Sequence, residues 1–198
     1  LSANIVRVRV WRSGYHDKEL KQFVQTGILR SLASGYFGHD PNIGHVSLEL
    51  KNVYISLWPD NLTLTNKIKS QDGSLDSNVE IDQRSEGRAP DIVVDFETLD
   101  TAQIVKDFQT FINSGSKYHL IGSNRFFNRP DAHNCSGLAY RLLQEAGLKK
   151  FEIPKDYLRD YLVVTPNNLI TYLELAKKFE SETTLRNKNN GSSVHPKQ

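Results

Sequence analysis

Two alternating runs, Gly44-His45-Val46-Ser47-Leu48-Glu49-Leu50 and Val53-Tyr54-Ile55-Ser56-Leu57-Trp58, are separated by Lys51-Asn52 alone. Side chains alternate between the faces of a strand, so each run puts apolar and polar residues on opposite sides. A two-residue connection predicts a tight hairpin with Leu50 opposite Val53, Ser47 opposite Ser56 and His45 opposite Trp58. One face then carries Val46, Leu48, Leu50, Val53, Ile55 and Leu57, a core surface. The other gathers His45, Ser47, Glu49, Tyr54, Ser56 and Trp58, more chemistry than a plain solvated face needs. It predicts a cleft wall.

The chain's single cysteine opens a second decisive stretch, Asn134-Cys135-Ser136-Gly137-Leu138-Ala139-Tyr140-Arg141-Leu142-Leu143. Leu138, Ala139, Leu142, Leu143 and Ala146 recur with helical period, and Gly147 is a natural stop. Cys135 therefore falls in the first turn of a helix with one buried face. Unpaired amides and the positive end of the helix dipole favour an anion at such a position. A lone cysteine at a helix start is, by itself, more often an inert small core residue.

Elsewhere, Val6, Val8 and Val10 alternate with Arg7 and Arg9 and predict a strand ending near Trp11. From Asp17, taken as an N-cap, Leu20, Phe23, Val24, Ile28 and Leu32 follow the helical period, so one helix is expected over 17–32, ended by Gly35. The span 61–90 is polar and aperiodic, which predicts a long, lid-like loop with at most a short strand around 79–81. A short buried strand is expected over 91–96. Asp100 caps a helix whose stripe is Ile104, Val105, Phe108, Phe111 and Ile112, ended by Gly115. A short strand over 118–121 and a loop over 123–133 lead to Cys135, and residues 149–154 read as extended or loop. Thr165-Pro166 starts the last helix, with Pro at its first position. Residues 1–179 read as one domain and 180–198 as a polar, disordered tail.

The chain has 198 residues, with 38% hydrophobic and 24% charged residues and a net charge of +2. That suits one globular domain and argues against nucleic acid as a partner. One cysteine rules out an internal disulfide and a multi-cysteine zinc site. No apolar run approaches the ~18 residues of a membrane span, and the start lacks a signal-peptide pattern. The chain opens on Leu1 and contains no methionine, as a chain trimmed at its start would.

A cysteine nucleophile needs an imidazole to take its proton, a polar group to orient that imidazole, and a donor for the oxyanion. Cys135 and His45 fit the nucleophile and the imidazole, and the Cys135 amide the oxyanion donor. Three residues compete as orienter. Glu49 is the strongest acceptor, but i and i+4 along a strand lie ~13 Å apart. Ser56 is nearer and weaker, and Asp95 sits on another strand. Trp58, Tyr54, Asn134 and His133 are assigned to substrate binding. A zinc site from His45, His133, Cys135 and Asp131 matches no standard spacing, so neither metal nor cofactor is expected.

The order of these motifs, Gly44-His45-Val46-Ser47-Leu48, then Tyr54-Ile55-Ser56-Leu57-Trp58, then Asn134-Cys135-Ser136-Gly137-Leu138, resembles the circularly permuted branch of the NlpC/P60-type, papain-like thiol enzymes. In the unpermuted family the Asn-Cys-Ser helix precedes the His strand. The resemblance covers about 44–147. It implies an α+β, papain-like fold whose central antiparallel sheet packs on the Cys135 helix, with Cys135 as nucleophile and His45 as base. It also implies acyl transfer through a thioester, by a peptidase, amidase or thioesterase, or by an acyltransferase acting on a protein lysine or a lipid. A non-catalytic binding module of an effector is the alternative from another class. The implied partners are a peptide or acyl substrate or a host protein, in a bacterial cytoplasm or after secretion into a host cell. Where the family places its third polar residue, this chain has Ser56.

Overall fold

The computed structural model describes residues 4–26, 28–37, 39–59, 71–75, 77–115, 117–119, 132–151, 153 and 164–191. The chain begins with β1 (Val6–Trp11), β2 (Gly14–Asp17), β3 (Gln22–Gln25), α1 (Ile28–Ser34), a 3-10 turn (Gly35–Phe37) and β4 (Asp40–Asn42). It continues with β5 (His45–Leu50), β6 (Val53–Ser56), β7 (Trp58–Pro59), β8 (Gln71–Ser74), α2 (Val79–Glu86) and β9 (Ile92–Phe96). Then come α3 (Thr101–Asn113), β10 (Lys117–Tyr118), β11 (Ala132–His133), α4 (Cys135–Glu145), a 3-10 turn (Leu148–Lys150) and α5 (Pro166–Gly191).

The architecture is mixed α+β. A central antiparallel sheet runs β6-β5-β1-β9, and the β5–β6 register pairs Leu50 with Val53 and Ser47 with Ser56, as the two-residue turn requires. Val6, Val8, Val10, Val46, Leu48, Leu50 and Ile55 are buried on one face of it. They join Ile104 and Phe108 of α3, Leu138 and Leu142 of α4, and Leu169 and Leu173 of α5 in one core. Each aliphatic side chain so buried is worth about 1.5–3 kcal/mol relative to exposure, so this face anchors the fold. Two smaller sheets, β3-β2-β4 and β11-β10-β8-β7, flank it, and β10 and β11 pair in parallel. No helix among the described residues is long and apolar enough to cross a membrane.

Four expectations need correction. The helix expected over 17–32 is a hairpin, β2 and β3, followed by the shorter α1. Asp17 caps a turn instead, its Oδ1 accepting from the Glu19 and Leu20 amides at 2.9 Å each. Leu20, counted into the helical stripe, is exposed, while Phe23 packs edge-on to His16 and under the Arg88 guanidinium. Gly14 permits this, because a Cβ there would lie 2.3 Å from the Phe23 ring. The span 61–90 is not simply loop, since it contains β8 and α2, and residues 79–81 are helix rather than strand. Asn78 caps α2 by accepting from the Ile81 amide, and Glu80 and Asp82 sit in the first turn where the dipole favours acids. The tail expected from 180 onward begins as helix, because α5 runs to Gly191. Glu180 holds it, accepting from the Glu97 and Thr98 amides at 2.8 Å and from the Thr98 hydroxyl at 2.7 Å. Lys149 and Lys150, at the start of the span expected as extended or loop, belong to the 3-10 turn Leu148–Lys150. The strand near Tyr118 is Lys117–Tyr118; residues 120–131 of that stretch lie outside the described residues.

Candidate active site

Asn134 builds the start of α4. Its Oδ1 accepts from the Gly137 amide at 2.6 Å, and its Nδ2 donates to the Val164 carbonyl at 3.0 Å. Asn134, expected in substrate binding, thus caps the helix and presents Cys135 at the first helical position. The Cys135 amide there lies outside the i→i−4 ladder of the helix. The thiol is buried, with Ser136 Oγ 3.9 Å from its Sγ.

Facing α4, β5 begins with His45. Gly44 precedes it at φ +75°, where a Cβ would lie 2.5 Å from the Trp11 carbonyl oxygen, so only glycine fits that approach. The His45 ring stacks on Trp58 at 4.1 Å between centroids, and Trp11 lies tilted against it at 5.6 Å. Its Nε2 is 2.8 Å from Ser56 Oγ and 3.3 Å from Asp82 Oδ2. Ser56 spends its one hydroxyl proton on Asp82 Oδ1, at 2.9 Å. It must therefore accept from the ring, which fixes a proton on Nε2. Nδ1 is then the ring nitrogen left to exchange a proton with Cys135, which raises the proton affinity of the ring. Burial opposes a charge on the ring, but the charge on Cys135 and the hydrogen bonds to Asp82 and Cys135 outweigh it. The result pushes His45 up to about 10.

Asp82 of α2 is the residue that the sequence did not reveal. It is fully buried and accepts from Tyr54 Oη (2.7 Å), Ser56 Oγ (2.9 Å), Trp58 Nε1 (2.8 Å) and Ser77 Oγ (2.5 Å). Burial alone would raise its carboxyl, yet the hydrogen bond and charge of His45 and the hydroxyl donors hold it well below the usual carboxylate range. The signals available were thin: Asn78 as a cap and two acids in the following turn. Neither says which face of the helix meets the sheet.

The other expected residues divide. Ser56 is in the site, as the bridge between His45 and Asp82. Glu49 is not: β5 carries it to an ion pair with Arg9 at 2.5 Å. Asp95 is bound on both oxygens by Arg7, at 2.8 Å each. Tyr54 does not face a substrate space. Its hydroxyl joins Asp82 to Ser47, and burial together with Asp82 raises its ionisation far above the usual phenol value. Trp58 has two roles, since it holds His45 and Asp82 and also lines the cavity. His133 lies against Phe111 of α3 and, at 3.3 Å, Arg141 of α4, and it does not line the cavity. Among the described residues no group of three His, Cys, Asp or Glu side chains is arranged to hold a metal.

His45 and Cys135 open together into a cavity of about 170 Å³, whose walls include Ile43, Leu57, Trp58 and Tyr118, with Glu86 at its edge. A thiol, an imidazole with an assigned tautomer, and a buried carboxylate behind it can together generate a nucleophile and return a proton to a leaving group. No protein-family model, curated protein or solved structure matches the chain.

Proposed function

We propose that the protein is a cysteine-nucleophile hydrolase acting on a peptide, amide or thioester, with Cys135 as nucleophile, His45 as general base and acid, and Asp82 with Ser56 as the orienting pair. The observation that carries this reading is the tautomer. Ser56 and Asp82 fix the Nε2 proton, which leaves Nδ1 for Cys135, and His45 and Cys135 line one cavity. The order of His strand before Cys helix supports the circularly permuted, papain-like assignment.

In the first half-reaction the Cys135 proton passes to His45 Nδ1, and the resulting thiolate, paired with the imidazolium, attacks the acyl carbon. The oxyanion forms beside the Cys135 amide at the helix start. Collapse breaks the bond to the leaving group, which departs with the proton from Nδ1. Neutral His45 then takes a proton from water, and the resulting hydroxide cleaves the thioester. An acyltransferase shares every step up to the thioester and differs only in the acceptor.

The direct test is incubation with p-nitrophenyl acetate. A burst of one nitrophenolate per protein is expected, with a 42 Da (about one acetyl) gain on the Cys135 peptide. Cys135→Ala should abolish both. Acetylation no faster than that of free cysteine would defeat the reading.

A further inference from the structure

The helix that supplies Asp82 is attached to the sheet through polar side chains. The buried residues of α2 are Asp82 and Glu86, at 0% and 4% exposure, while its Ile81 is 38% exposed. No apolar side chain of this helix is buried. An isolated helix of this length does not persist in water, so its contacts with the polar face of the sheet must hold it. Those contacts are the Asp82 hydrogen bonds, the acceptance of Asn42 Nδ2 by Glu86 Oε2 at 2.8 Å, and the Arg88 segment that follows. There the Arg88 carbonyl accepts from Trp11 Nε1 at 3.0 Å, and Arg88 Nη2 donates to the Arg12 carbonyl at 2.7 Å.

Resting on the proposed function, we propose that α2 is a gate whose docking is coupled to the charge of the Cys135–His45 pair, held while the imidazolium faces Asp82 and loosened once Cys135 carries an acyl group. The titratable and charged groups around Asp82 are His45 from β5, Tyr54 from β6 with Arg9 of β1 behind it, and Cys135 of α4 beyond the ring. Around Glu86 they are Arg88 and Tyr118. His45 is the only cation that Asp82 touches among the described residues. When the sulfur–carbon bond forms and the leaving group takes the Nδ1 proton, His45 becomes neutral and the sulfur loses its charge. Asp82 is then a buried carboxylate facing neutral donors only, a costly state that undocking relieves. Linkage makes the coupling reciprocal: whatever undocks α2 must also lower the proton affinity of His45. The gate would thus admit the acceptor when the thioester is in place.

Hydrogen exchange on the full chain tests this, with iodoacetamide replacing the thiolate by a neutral thioether and releasing iodide. After alkylation, the amides of 82–87 should exchange at least about tenfold faster at pH 7, while those of α3 stay unchanged. Raising the pH of the unmodified protein through about 10 should, after correction for intrinsic rates, give the same acceleration. His45→Gln, which keeps a hydrogen-bond donor without the charge, should exchange fast at every pH. Equal rates for 82–87 before and after alkylation would overturn the gate. The alkylation rate itself, read separately, tests the nucleophile, so a slow thiol with unaltered α2 and a fast thiol with unaltered α2 are different failures.

Discussion

Helices α4 and α2 meet the same sheet from opposite sides and are fastened by opposite means. α4 buries Leu138, Ala139, Leu142 and Leu143 in the core and carries Cys135, the proposed nucleophile. α2 buries two carboxylates, of which Asp82 is the proposed orienter. Cys135 therefore rides on non-directional burial, which carries no charge to titrate. The group that sets the histidine tautomer rides on a directional charge network. Position and activation of the thiol are thereby under separate control.

Breaking each side in turn should give effects of descending size. Cys135→Ala and His45→Ala should each lower the acetylation rate by on the order of 10⁴-fold or more, measured by nitrophenolate burst. Asp82→Asn should cost roughly 10²–10⁴-fold by the same assay, because the carboxylate no longer holds the Nε2 proton and the imidazolium. On stability, Leu142→Ala in α4 should cost about 2–5 kcal/mol by urea denaturation, whereas Ile81→Ala in α2 should stay within about 0.5 kcal/mol. Glu49→Gln should leave acetylation within about twofold of the parent, since its partner is Arg9, and cost no more than about 1 kcal/mol. A large loss of rate in Glu49→Gln would return that residue to the site.

The comparison also has a pH signature. His45 is raised from 6.5 to about 10, so its stabilisation is complete below pH 6.5 and is lost as pH rises through about 10. Asp82 is depressed from 3.8, so its stabilisation is present above that value and is lost as pH falls through its lower, folded value. Urea midpoints should therefore be highest between pH 4 and 6.5 as far as this pair is concerned. His45→Gln should flatten the alkaline decline. A decline of unchanged size in that variant would mean that some other group titrates.

What the sequence disclosed follows the same division. The β5–β6 register was legible because period-two alternation and a two-residue turn leave one solution for Leu50 and Val53. The α4 stripe was legible because Leu138, Leu142 and Leu143 repeat at helical spacing. α2 was not, since a helix that buries only Asp82 and Glu86 leaves no hydrophobic period to read. The hairpin over 14–25 was misread for the converse reason: Leu20, Phe23 and Val24 imitate a helical stripe although Leu20 stays in solvent. At Glu49 chemical strength suggested an orienter, but the strand geometry sent it to Arg9. Ser56, weaker on its own, became effective through the carboxylate behind it.

The two tryptophans of the chain, Trp11 and Trp58, both flank the ring of His45. A charged imidazole quenches indole emission more strongly than a neutral one, so both indoles report on the charge of His45. The protonation state of that ring is thereby written into an optical signal that needs no label.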